Sequence, residues 1–107
     1  MRNIYINPTQ TFEVYTGGSI IMPTVRHPDF NIKNNGPAPI RVINYWAPPF
    51  GDYNQYASID IQPGETIFLQ PPPNPVYFYR VVITNLSNYL HSETEVTDLY
   101  PPPHPAL

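Results

Sequence analysis

Sixteen of the 107 residues are proline, and they are spread from Pro8 to Pro105. The usual share is about 5%. Inside an α-helix each proline costs about 3 kcal/mol, whereas turns, edge strands and extended segments accept it without penalty. A chain punctuated this way folds as strands between proline-marked turns. The stretch Ser87 to Leu99 lacks proline and has the length of a short helix, but Thr94, Val96 and Thr97 favour a strand.

Alternation of apolar and polar residues bears this out along the chain. Ile4 and Ile6 flank Tyr5, and Pro8 stops the run. Phe12 and Val14 alternate with Thr11, Glu13 and Tyr15 up to Gly17-Gly18. Ile20-Ile21-Met22 reads as a short third strand. Asp29 to Trp46 reads as two strands joined at Asn34-Asn35-Gly36-Pro37-Ala38-Pro39, the organising hairpin of the core. Ile59 and Ile61 alternate with Ser58 and Asp60, and Ile67 and Leu69 follow a Pro63-Gly64 turn of type II. Ile6 to Phe12 and Ile61 to Ile67 share a strand, proline turn, strand pattern, which suggests paired hairpins. Val76 to Thr84 is apolar on both faces, as a strand covered on both sides is. Glu93 to Leu99 closes the series.

About eight short strands and no helix predict an all-β fold, an antiparallel β-sandwich of jelly-roll or immunoglobulin-like type. At this length the expectation is one domain over 1–99, followed by a proline-rich C-terminal arm over 100–107.

Charge excludes one class of partner. Five Lys/Arg spread singly in a chain of net charge −3 make no basic stripe, so nucleic acid is not expected. Cysteine is absent, which removes disulfides, zinc–thiolate sites and thiol nucleophiles. The N-terminus has no signal-peptide apolar run, and no stretch approaches the ~20 apolar residues of a membrane span. Asn85-Leu86-Ser87 matches a glycosylation acceptor pattern, read here as chance.

Catalytic and metal chemistry find little support. His27 and Asp29, and His91 and Glu93, are two apart and share a strand face, but neither pair has the third ligand a metal needs. Asp52 lies among aromatics, yet in Phe50-Gly51-Asp52-Tyr53 it is an ordinary turn residue. Asp60 and Glu65 flank a turn as solvated ends, and no Gly-x-Ser-x-Gly elbow occurs. The expectation is a protein that is not an enzyme and takes no cofactor or metal.

What remains is contact surface. Tyr45, Trp46, Phe50, Tyr53 and Tyr56 cluster around one loop, and aromatics of this kind suit interfaces, although Trp46 and Phe50 also suit plugs for the open end of a core. Tyr77 and Tyr79 belong to the two-faced strand. Tyr100, Pro101, Pro102 and Pro103 begin a stiff terminal arm that would dock with little entropy loss. Pro71-Pro72-Pro73-Asn74-Pro75 reads as a rigid crossover.

Phe30-Asn31-Ile32-Lys33-Asn34-Asn35-Gly36, Ile61-Gln62-Pro63-Gly64-Glu65-Thr66 and Val81-Val82-Ile83-Thr84-Asn85-Leu86-Ser87 resemble the small β-sandwich accessory proteins of bacteriophage virions. The resemblance covers about 29–87. It implies a non-enzymatic structural role in the virion, as a capsid decoration, cement or minor subunit. Its partners would be other protein subunits, the major capsid protein or copies of itself, and no membrane. The alternative is a glycan- or receptor-binding module that uses Tyr45 to Tyr56.

Overall fold

The computed structural model describes residues 1–21, 27–73 and 77–99. They contain eight strands and no helix: β1 (Arg2–Ile6), β2 (Thr11–Gly18), β3 (Asp29–Pro37), β4 (Ile40–Ala47), β5 (Asn54–Ile61), β6 (Thr66–Leu69), β7 (Phe78–Asn85) and β8 (Ser92–Leu99). The first sheet has the order β1-β8-β3-β6 and the second β2-β7-β4-β5. Every pairing is antiparallel. The all-β sandwich expectation holds, and the strand order is that of a jelly roll, in which most connections pass from one sheet to the other.

Period-two alternation decides which side chains fill the gap between the sheets. Ile4 and Ile6, Phe30 and Ile32, and Val96 point inward from the first sheet. Ile40, Val42, Ile61, Val81 and Ile83 meet them from the second. Burying each such side chain contributes about 1.5–3 kcal/mol.

The stretch from Asp29 to Trp46 is not a hairpin. β3 lies in the first sheet and β4 in the second, and β3 pairs with β8 and β6 instead. Among the described strands, only β4 and β5 are consecutive and bonded to each other. The turn residues between β3 and β4 carry the chain across the roughly 10 Å between packed sheets. Asn34 is fully buried at the bend. Its Nδ2 donates to the carbonyls of Ala38 at 2.8 Å and Ile61 at 2.9 Å. Its Oδ1 accepts from the Gly36 N–H at 2.8 Å and the Ser92 hydroxyl at 3.1 Å. The Pro63-Gly64 connection also switches sheets. The Glu65 N–H closes on the Gln62 carbonyl at 3.0 Å with Gly64 at φ 90°, as a type II turn requires. The two crossing turns touch. Gly36 stands at φ 80°, and a Cβ there would lie 2.9 Å from Cβ of Pro63.

The paired-hairpin reading of the internal echo fails for the same reason, since β1–β2 and β5–β6 each switch sheets. Ile20 and Ile21 form a bend and are exposed rather than stranded, and Met22 lies outside the described residues. β7 is central, flanked by β2 and β4. On its outer side Val82 sits in register between Glu13 and Ile43 and is only 5% exposed. Asn85 is buried, with Nδ2 committed to the carbonyls of Ile6 and Leu90, so the acceptor-like triplet there carries a structural amide.

Candidate recognition surface

The aromatic residues around the β4–β5 loop separate into two groups. Trp46 is partly buried and packs against the core, and Tyr79 is a fully buried core residue. Tyr45 faces outward opposite Arg80 on β7. Tyr53 returns over that pair: its ring meets Tyr45 edge-on at 6.4 Å, and the Arg80 guanidinium carbon lies 5.9 Å from its centroid. Arg80 Nε donates to Glu13 Oε2 at 2.8 Å. The outcome is a row of Glu13, Arg80, Tyr53 and Tyr45 on the outer face of the second sheet. Phe50 stands at the loop tip, 93% exposed, and Tyr56 is half exposed beside the β-bulge of β5. Tyr77 is half-buried just before β7. Tyr100, Pro101, Pro102 and Pro103, and the arm they begin, lie outside the described residues.

Inside the sandwich a polar cluster sits among apolar residues. The hydroxyl of Tyr15 is 3.1 Å from Nδ1 of His27, whose ring centroid is 5.2 Å from that of Tyr79. Asn44 Nδ2 donates to the Tyr79 hydroxyl at 2.9 Å and to the Gln70 carbonyl at 3.1 Å. Its Oδ1 accepts from the Ala57 N–H in the bulge at 2.9 Å. Burial pushes the Tyr79 phenol well above the ordinary tyrosine range; the Asn44 hydrogen bond works the other way, and the charge of Asp29 reinforces the rise. His27 and Asp29, a pair with strand-face spacing, are both buried beside this cluster. Among the described residues no three His, Asp or Glu side chains converge as a metal site would need.

The surface that sequence reasoning missed is the outer face of the first sheet. β1 and β8 place Tyr5 opposite Glu93 and Asn3 opposite Glu95. With Asn35 and Thr94 these residues line a cleft of about 410 Å³, within the roughly 300–1,000 Å³ of small-ligand sites. Tyr5 is 59% exposed and lies parallel on the His91 ring, with centroids 4.6 Å apart and planes 7° apart. His91 Nε2 is 3.4 Å from Glu93 Oε2. Asn35 Nδ2 donates to Glu95 Oε2 at 2.8 Å from the bulge in β3. The arrangement offers an aromatic plane, two carboxylates and two side-chain amides on one shallow face. The signal was present in the alternation of Asn3 and Tyr5 with Ile4 and Ile6, and in the spacing of His91 and Glu93. What the sequence does not show is that β1 pairs with β8, about ninety residues away.

Fold and surface together define a small jelly-roll protein with a polar cleft, lined in part by Tyr5, on the outer face of its first sheet. The PirA-like family model matches residues 1–97, and the chain belongs to that family. A solved structure described as the crystal structure of PirA superposes with a TM-score of 0.79 at 25% identity, covering 91% of this chain and 91% of that one. No curated protein matches the sequence. The bacteriophage virion reading is corrected by this membership: the three segments that suggested it are sandwich turns and strands, and they serve a PirA-like fold rather than a capsid decoration or cement protein. No helix among the described residues is long and apolar enough to cross a membrane.

Proposed function

We propose that this chain is a non-catalytic recognition component of a toxin-related protein, and that it holds carbohydrate on the outer face of the first sheet. Its PirA-like family and its likeness to PirA support the toxin-related part. The exposed Tyr5 ring, which lines the cleft and stacks on His91 beside it, supports the carbohydrate part. A sugar ring presents apolar C–H groups on one face and hydroxyls around its rim. An exposed aromatic plane accepts the first, and carboxylates and amides accept or donate to the second. A glycan array with the full chain tests this. Binding that falls at least tenfold in Tyr5→Ala, with the folded spectrum unchanged, supports it. An array without hits, or hits that survive Tyr5→Ala, overturns it.

The outlying Phe50 favours a second contact, with protein. A phenyl ring 93% exposed at a loop tip is costly to leave in water and inexpensive to dock. Comparing the mass in solution of the wild type and Phe50→Ser across a concentration series checks whether copies of this chain are the partner.

A further inference from the structure

The charges around the cleft specify more than carbohydrate. Glu93 and Glu95 lie two apart on β8 and point to the same face, about 7 Å from each other by strand geometry. Each is held at one oxygen, Glu93 Oε2 near His91 and Glu95 Oε2 by Asn35. The remaining oxygen of each makes no hydrogen bond to any described residue. Lys33 is the register partner of Glu95 on β3, yet it forms no ion pair within 4.0 Å with Glu95 or any other described residue. The ion-paired arginines, Arg2, Arg41 and Arg80, are matched to Asp98, Asp60 and Glu13, none of which lines the cleft. The net charge of −3 adds to the same sign.

We infer that the cleft selects sugars bearing a protonated amine over their N-acetylated counterparts, and turns anionic sugars away. This rests on the carbohydrate reading above. Tyr5 supplies the plane for the ring, and the uncommitted carboxylate oxygen of Glu93 or Glu95, neighbours on one face of β8, receives the ammonium group in a charge-assisted hydrogen bond, stronger than the neutral bond an acetamide makes. An anionic sugar meets the two carboxylates that line the cleft; Lys33, beside Glu95 on β3, is not among the lining residues. His91 faces Tyr5 and Glu93, so its role is to hold the aromatic plane and one carboxylate in place.

Calorimetric titration of the full chain with glucosamine tetramer, N-acetylglucosamine tetramer and sialyllactose at pH 6.5 tests this. The expected result is roughly tenfold tighter binding of the amine form, weakened by added salt, and no binding of sialyllactose. Glu93→Gln or Glu95→Gln should each weaken the amine form more than the N-acetylated form, so that the preference shrinks. Equal binding of the two tetramers, or a preference unchanged in both variants, overturns the inference and leaves the carbohydrate reading standing. No binding of any sugar overturns both.

Discussion

The side-chain amide of Asn34 donates to the carbonyl oxygen of Ile61 at 2.9 Å, which ties the β3–β4 crossing to the end of β5 just before the next crossing. The same nitrogen also holds Ala38, and Oδ1 holds Gly36 and Ser92. All of these groups are withdrawn from water, so a truncated side chain leaves several donors and acceptors unmet at about 1–3 kcal/mol each. Asn34→Ala should therefore cost about 3 kcal/mol or more in chemical unfolding. Neighbouring Asn35→Ala, at an exposed position whose amide reaches only the exposed Glu95, should stay within about 0.5 kcal/mol of wild type.

A second buried amide predicts an alkaline signature. Asn44 donates to the Tyr79 hydroxyl, and burial holds that phenol protonated beyond the range where free tyrosines ionise. The unfolded chain releases this proton near pH 10. Above that pH the unfolded state binds fewer protons than the folded one, so the contribution of Tyr79 to stability is intact below pH 10 and declines as pH rises past it. In an ultraviolet titration Tyr79 should ionise only with unfolding. Tyr79→Phe should remove that late step and cost about 1 kcal/mol at neutral pH.

Strand identity was legible because alternation is a local property: Ile4 and Ile6, Phe30 and Ile32, and Ile40 and Val42 announce their inward faces without reference to any partner. Sheet membership was not. Gly36 and Gly64 adopt the positive φ that turn residues announce, but the same residues serve a hairpin or a sheet-crossing turn. The difference lies in what Asn34 bonds to across the sequence. The cleft was illegible for a related reason, since Tyr5 and His91 stack only once β1 has paired with β8. The Tyr45 to Tyr56 loop drew attention through density of aromatic residues, which does not distinguish an inward ring from an outward one. The bulge that places two residues of β5 against one step of β4 resets the alternation there.

That distinction yields a prediction within the loop. Trp46 packs against the core, so Trp46→Ala should cost about 3 kcal/mol through lost burial and the cavity left behind. Tyr53 rests on Tyr45 and Arg80 at the surface, and Tyr53→Ala should cost about 1 kcal/mol or less. Thermal unfolding of the two variants checks the ordering, and near-equal losses would show that Tyr53 carries core weight that its position does not indicate.

The Tyr5–His91 stack separates recognition from folding. Both side chains sit on the outer face, and the rings share one stacked contact worth about 0.5–1.5 kcal/mol. Removing the imidazole frees the Tyr5 ring to turn and releases the 3.4 Å contact that steadies Glu93, while the inward residues of β1 and β8 keep their packing. His91→Ala should therefore lose no more than about 1 kcal/mol of stability and still lose several-fold in carbohydrate affinity. Tyr5→Phe, which keeps the plane and discards only the hydroxyl, should retain most of the affinity. If Tyr5→Phe weakens binding as much as Tyr5→Ala, the hydroxyl rather than the ring face makes the contact, and the plane of Tyr5 is not where the sugar rests.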